Sequence, residues 1–475
     1  MKKTAFPFLI FPILLFLSYP PINAGFIGWI AFIPFFWGLE NKSSKEAFFY
    51  SLFSGYVFYS LHLWWLTNIT RLGTVVLIFY LSLYFALFGL LVKKLTYSLL
   101  LPSFWIVLEW IRAYLFTGFP WSPLANTQFL YPYFLRILPF TGFYGLSYIL
   151  LLFNLLLYLY IRKKEKKYLV VALTLPLVFL FLGSNSAEKK GSISLGIIGG
   201  NFSQEEKWQK DSKEKIFSYY ACSAYSLKDA DLIILPESAI PTIINQDEKM
   251  LRSITNLSNR IKAPLLMGIL SKEEGHLYNS VFLIDGDGIE SMYRKIKLVP
   301  FGEYLPLKRF FPFLKRVAKG VGNFSPGKDF NLFQVKNTKF ATLICFENIF
   351  PQFARKFSSP GFWVVITDDS SFKSKAAAWQ HFSHSVMRAA EFSKPLVQVS
   401  NMGVSGGVNA KGKIISLLKE TGGQKITIAP SYRKTLYARF GDWFVFLQVF
   451  IIFLVFSLHL HRGRRRQSGV QRQNS

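Results

Sequence analysis

A thiol, a carboxylate and an amine stand on three separate strand ends of this chain, and together they could make and break an acyl bond. Cys345 closes FATLICFEN, Glu237 closes DLIILPES, and Lys295 lies in YRKIKLVPFGE. A thiol with an ordinary pKa near ~8.5 is only a few per cent ionised at neutrality, so it needs a base beside it. Glu237 can be that base if burial lifts its pKa toward working pH. Lys295 can hold the oxyanion of a tetrahedral intermediate, an effect worth ~10²- to 10³-fold per donor. Cys222 is the other cysteine of the chain, and the pair offers neither a metal-ligand spacing nor a disulfide framework. Cys222 is expected as a small core residue of the helix FSYYACSAYSL, too distant from Cys345 to bridge.

These residues need strand ends to hold them, and the chain from 192 onward supplies strands. SISLGIIGGN, ADLIILPES, APLLMGILS, LYNSVFLIDGDG, KFATLICFEN, GFWVVITDD, PLVQVSNMG and KITIAP read as strands. Helical patterns fall between them, notably over 247–261 and 376–392. Strands that are apolar on both faces and alternate with helices predict a layered α/β domain. Its span of ~250 residues is long enough to bury a sizeable core.

The N-terminal part is different. The chain is 51% hydrophobic and 18% aromatic, with 50 Phe, and its apolar residues crowd into long runs. Runs at about 5–20, 25–39, 47–67, 73–92, 97–117, 138–161, 168–184 and 442–460 approach the ~20 residues needed to cross a bilayer. Eight spans are expected. With the N-terminus inside, the inner connections hold sixteen Lys and Arg, whereas the short outer ones hold Arg71 and Arg136. That bias places the α/β domain outside the cytoplasm. The first 24 residues also resemble a cleavable signal, but removing them would break this charge pattern.

The formal charge of +28 could suggest nucleic acid, yet the basic tail HRGRRRQ directly follows a span and reads as a topology anchor. No nucleic-acid partner is expected. The expected organisation is a membrane bundle over 1–184, an extracytoplasmic domain over 185–441, a C-terminal span over 442–460 and a basic cytoplasmic tail over 461–475. Glu109 and Arg112, one turn apart in the fifth span, are expected to pair inside the bundle and order the following loop. His381, His384 and Arg388 share a helix without an HExxH pattern and read as structural.

The order LPES, YNSVFLIDGDG, YRKIKLVPFGEYLP, LICFEN, WQHFSHSVMRAAE and SNMGVSGGVNAKG resembles the nitrilase, or carbon-nitrogen hydrolase, superfamily over ~192–430. With LVPFGEYLP, EWIRAYLFTGFPWSP and the flanking spans, the chain more specifically resembles the apolipoprotein N-acyltransferase family. That resemblance implies a polytopic α-helical membrane bundle of about eight spans carrying an extracytoplasmic nitrilase-like αββα sandwich. It implies Glu237 as base, Lys295 as oxyanion lysine and Cys345 as acylated nucleophile, supported by Glu303, Glu347 and Trp208.

It further implies a phospholipid acyl donor, a diacylglyceryl apolipoprotein acceptor, no cofactor or metal, and a monomer in the bacterial inner membrane. The alternative activity is that of a membrane-tethered amidase. The segment YLPLKRFFPFL, 304–314, is expected to be a lid, with Lys308, Arg309 and Lys315 at snorkelling distances. Leu235, Lys297, Phe346 and the phrase TDDSSFKSK depart from the family pattern.

Overall fold

Among the described residues, twelve strands form two six-stranded sheets, each with a parallel centre and antiparallel edges. The computed structural model describes residues 5–182, 191–209, 211–305, 322–418 and 421–473, with side chains as far as 458 in the last helix. The expected lid lies outside the described residues from 306 onward, as does most of the 185–191 linker.

The first sheet contains β1 (Ile193–Gly199), β2 (Leu232–Ile234), β3 (Leu265–Glu273), β4 (His276–Asp285) and β5 (Gly288–Arg294). The second contains β6 (Phe333–Val335), β7 (Thr338–Ile344), β8 (Phe362–Asp368), β9 (Leu396–Asn401), β10 (Gly406–Val408) and β11 (Ile414–Leu417). The last strand, β12 (Gly422–Ile428), returns to pair antiparallel with β1. Sheet orders are β12-β1-β2-β3-β4-β5 and β11-β10-β9-β8-β7-β6.

Period-two alternation explains the layering. Leu195, Ile197, Leu266, Val281 and Leu283 join one core with Leu343, Val364, Ile366, Val397 and Val399 of the other sheet. Their neighbours Ile198, Leu265, Met267, Phe282 and Ile284 join a second core with Ile216, Tyr220, Ile254 and Leu257, from the helices Ser212–Tyr225 and Glu248–Ile261. One strand therefore serves two cores, as its alternating side chains require. The second sheet is backed by the helix Lys375–Phe392, whose Phe382, Val386, Met387 and Ala390 are buried.

Every expected apolar run of the N-terminal part falls on helix. The helices are Phe6–Leu17, Phe32–Leu39, Ser44–His62, Arg71–Lys94, Leu101–Tyr114, Phe143–Lys163 and Lys166–Thr174, the last continuing through a 3₁₀ turn at Pro176 to Phe181. By length and composition, Arg71–Lys94 and Phe143–Lys163 can cross a membrane, whereas Phe6–Leu17, Gly25–Leu39 and Trp443–Leu458 are shorter apolar helices. Pro176 interrupts the seventh run because it lacks the N–H that a continuing helix needs.

A polar seam joins the helices to the sandwich. The indoles of Trp65 and Trp121 both donate to Gln380 Oε1, at 3.1 and 2.9 Å, and Asn126 donates to Ser383 Oγ at 3.0 Å. The expected Glu109–Arg112 ion pair is not made. Glu109 Oε1 instead accepts from Leu124 N at 2.8 Å and Trp105 Nε1 at 3.1 Å, while Arg112 donates to Tyr59 at 2.6 Å. Glu109 still orders the loop after its helix, because a buried backbone N–H takes the nearest acceptor.

Candidate active site

Glu237 follows β2 by three residues, at the carboxyl end of a parallel strand where an α/β sheet opens to ligands. Its Oε1 accepts from Asn279 Nδ2 at 2.6 Å and faces Lys295 Nζ at 3.4 Å; its Oε2 accepts from the Asp368 N–H at 2.8 Å. Gly268 makes this placement possible: a Cβ there would lie 2.6 Å from the Glu237 Cα. Lys295 leaves β5 and is 1% exposed. Its ammonium also donates to Glu303 Oε1 at 2.9 Å.

An ammonium has three protons, and Glu237 and Glu303 engage two here. The remaining donor can meet an oxyanion.

Cys345 is the first residue beyond β7 and begins a 3₁₀ turn. Its φ of +50° is left-handed, a conformation that costs a non-glycine residue about 1–2 kcal/mol and is held here by surrounding contacts. One of those contacts is His381, whose Nε2 lies 3.1 Å from the Cys345 carbonyl while its Nδ1 lies 3.0 Å from Asp369 Oδ1. The Cys345 thiol, an Asp369 oxygen and a His381 nitrogen come within 4.8 Å of one another. Both ring nitrogens are already engaged, so this group suits hydrogen bonding better than metal ligation.

The electrostatics are those of a resting acid. Burial pushes the Cys345 thiol well up and the Glu237 charge adds to this, against the opposing Lys295 ammonium. Burial also raises Glu237, with Lys295 opposing and Glu303 reinforcing. Burial works against the Lys295 charge, but Glu237 and Glu303 outweigh it and hold the amine firmly protonated. The thiol is therefore held as S–H beside a charged ammonium.

Glu347, fully buried, binds backbone from two sides. Its Oε1 accepts from Ile296 N at 2.8 Å and Lys297 N at 3.0 Å, its Oε2 accepts from Ile344 N at 2.9 Å, and the Tyr293 hydroxyl lies 2.8 Å from Oε1 and 2.9 Å from Oε2. It thus ties the segment after Lys295 to the residue before Cys345. Burial pushes its pKa up to about 7.

The structure brings Glu237, Lys295, Glu303 and Cys345 together, with Glu347 beneath them. Trp208 is not in that group: it is 59% exposed and bonds Gln204 at 3.3 Å. Its neighbour Lys207 does reach inward, bonding Asp368 Oδ2 at 2.6 Å and the Ser238 carbonyl at 3.0 Å. Cys222 is exposed, not a core residue, and both cysteines are free thiols.

Asn279, Asp368, Lys207 and the Asp369–His381 pair escaped sequence reasoning. Asn279 had one signal, an amide beside Ser280 where the strand runs into the apolar stretch VFLI. Lys297, one of the departures, donates to the Thr117 carbonyl at 2.8 Å and so anchors the site to the loop before GFPW.

Two family models divide the chain: apolipoprotein N-acyltransferase N-terminal domain matches residues 12–156 and carbon-nitrogen hydrolase matches 204–435. The chain is 31% identical over 477 residues to apolipoprotein N-acyltransferase of Geobacter metallireducens, covering 91% of this chain and 90% of that one. The chain belongs to the apolipoprotein N-acyltransferase family. Similarity extends to the apolipoprotein N-acyltransferases of Pasteurella multocida, at 28% over 497 residues, and Thermotoga maritima, at 26% over 499. Those alignments cover 93% and 95% of this chain, and 93% of each relative. Within an apolipoprotein N-acyltransferase, a carbon-nitrogen hydrolase domain joined to a helical bundle points to acyl transfer at a membrane rather than to hydrolysis of a soluble amide.

Proposed function

We propose that this acyltransferase takes a fatty acyl group from the sn-1 position of a phospholipid and passes it to the α-amine of a diacylglyceryl-cysteine at an apolipoprotein N-terminus. The observation that carries the reading is Lys295: a buried ammonium held by Glu237 and Glu303, with one proton unspent, acting electrostatically on the Cys345 thiol.

In the first half-reaction Glu237 takes the thiol proton as Cys345 Sγ attacks the ester carbonyl. Lys295 holds the oxyanion, the C–O bond breaks, and Glu237 returns the proton to the departing lysophospholipid. In the second, the lipoprotein amine attacks the thioester, Glu237 accepts its proton, and the C–S bond breaks to restore the thiol. A covalent intermediate implies ping-pong kinetics. Glu303 and Glu347 act through position, and Trp208 belongs to the rim.

Eight spans, a bundle over 1–184, the catalytic domain over 185–441, a last span over 442–460 and a cytoplasmic tail complete the reading, with one copy carrying the whole site. Large apolar side chains face outward along the helices, among them Trp37, Phe49, Val76, Phe79, Leu173 and Phe453. Such continuous apolar exposure suits lipid, not water. Sixteen inner against two outer basic residues support an extracytoplasmic domain.

The test is mass spectrometry of purified protein incubated with phospholipids of defined sn-1 chain. An acyl adduct on Cys345 of matching mass, absent from Cys345→Ala, is expected. Acylated lipoprotein made by Cys345→Ala would refute the thioester.

A further inference from the structure

A cavity of about 410 Å³ opens between the segment after Cys345 and the one leading into the C-terminal apolar helix. Neither Glu237, Lys295 nor Cys345 lines it. Its walls carry Arg355, Lys356, Lys394, Arg433, Lys434 and Arg439, and among the described lining residues there is no aspartate or glutamate. None of the six cations makes an ion pair within 4.0 Å among the described residues.

Two buried donors sharpen the picture. Lys394 is 3% exposed; its ammonium donates to the Ser431 carbonyl at 2.8 Å and lies 6.0 Å from the centre of the Tyr432 ring. Burial and the charge of Lys434 hold its pKa down to about 8. Trp363, also lining the cavity, is 1% exposed and its indole N–H has no acceptor. Like charges converging beside a buried, unpaired indole N–H are costly, and an anion with several acceptor oxygens relieves both terms.

The surroundings choose among anions. Ala438 and Arg439 belong to the short helix Leu436–Phe440, whose Leu436 and Phe440 are 39% and 61% exposed. Trp443 and the apolar stretch to Leu458 follow directly. Apolar side chains, a tryptophan and cations in this order mark a membrane–water boundary, and the volume lies within the ~300–1,000 Å³ of small-ligand pockets.

We propose that this cavity binds the phosphodiester headgroup of an anionic phospholipid, at a site separate from Cys345. A lipid held there anchors the stretch from Ala354 to Pro360, which follows the turn Cys345–Ile349 through the short helix Pro351–Ala354. The inference rests on the membrane reading of the C-terminal helix and not on the chemistry assigned to Cys345.

Native mass spectrometry of the full chain in nanodiscs tests it, with phosphatidylglycerol titrated against a phosphatidylcholine background. The variant Arg433→Gln/Lys434→Gln/Arg439→Gln removes three mainly exposed charges, and Trp363→Phe removes the unpaired indole donor. Expected is retention of one phosphatidylglycerol by the parent protein and Cys345→Ala alike. The triple variant should lose about fivefold per charge, or about a hundredfold in all. Trp363→Phe should weaken it by a smaller factor, and thermal melts matching the parent's will show that both variants are folded.

Unchanged phosphatidylglycerol affinity in the triple variant and in Trp363→Phe would overturn the proposal. So would equal retention of phosphatidylcholine, or displacement of the lipid by millimolar inorganic phosphate, which would make this a free-phosphate site. Failure of Cys345 to acylate leaves the lipid-binding result intact, so the two readings fail separately.

Discussion

Glu237 and Glu303 share the same two donors: the Asn279 amide at 2.6 and 2.9 Å, and the Lys295 ammonium at 3.4 and 2.9 Å. Two carboxylates around one ammonium leave a formal excess of negative charge. That excess keeps the lysine charged and makes Glu237 a better proton acceptor.

The pH dependence follows from that charge. Glu303 raises the pKa of Glu237 and Lys295 lowers it, so Glu303→Gln should move the acid limb of Cys345 alkylation by iodoacetamide to lower pH. Lys295→Met should move it to higher pH. The rate should rise with pH in each protein, because the base must lose its proton; limbs that coincide in all three would exclude Glu237 as the base.

In the proposed mechanism, removing Lys295 also removes the oxyanion donor. Lys295→Met should lower the rate of thioester formation by ~10²- to 10³-fold and lower thermal stability, since a buried ammonium that leaves two carboxylates behind costs ~3–5 kcal/mol. The double variant Lys295→Met/Glu303→Gln should regain stability without regaining rate. Stopped-quench acylation and thermal melts separate the two, and recovery of the rate would argue against a role in the chemistry.

Glu347 provides a stability test with a definite sign. Its pKa is raised from 4.5 to about 7 in the folded protein, so the native state binds the proton more tightly than the unfolded one. Its contribution is complete below about 4.5 and is lost as pH rises to about 7, a change of order 3 kcal/mol. Glu347→Gln should flatten that window in denaturation curves. It should also slow acylation, because an amide NH₂ turned toward a backbone N–H leaves donors unpaired at ~1–3 kcal/mol. A variant that keeps the wild-type slope would assign the pH dependence elsewhere.

His381 offers a fourth prediction. If it holds the strained Cys345 backbone through the carbonyl at 3.1 Å, then His381→Ala should lower kcat by ~10-fold or more with little change in KM for phospholipid. Asp369→Asn should give a weaker version of the same effect, since Asp369 orients the ring at 3.0 Å. A change confined to KM would indicate substrate contact instead.

Part of the site could be read along the chain because Glu237 and Cys345 each follow an apolar run, and a buried strand that stops at a polar side chain marks a sheet end. Lys295 follows the largely polar strand GIESMYR and was legible only through the phrase YRKIKLVPFGE. Asn279 and Lys207 were not. Asn279 sits beside Ser280 where its strand runs into apolar residues, and Lys207 lies next to the more conspicuous Trp208; only the packing of β2, β4 and β8 turns both toward Glu237. His381 looked structural because nothing in its own helix pairs with it. Its partners, Asp369 and the Cys345 carbonyl, arrive from two other elements.

Sequence alone thus determined the reactive groups, the strand-and-helix alternation and the apolar character of the N-terminal helices, since these depend on local order and period. Tertiary structure decided which neighbours set their charge. It gave Glu109 to Leu124 rather than Arg112, exposed Cys222, made Glu347 a latch between Lys295 and Cys345, and gathered six cations from three distant segments into one cavity. Distances of a few ångströms fix hydrogen bonds and pKa values, and only the folded chain brings residues far apart in sequence that close.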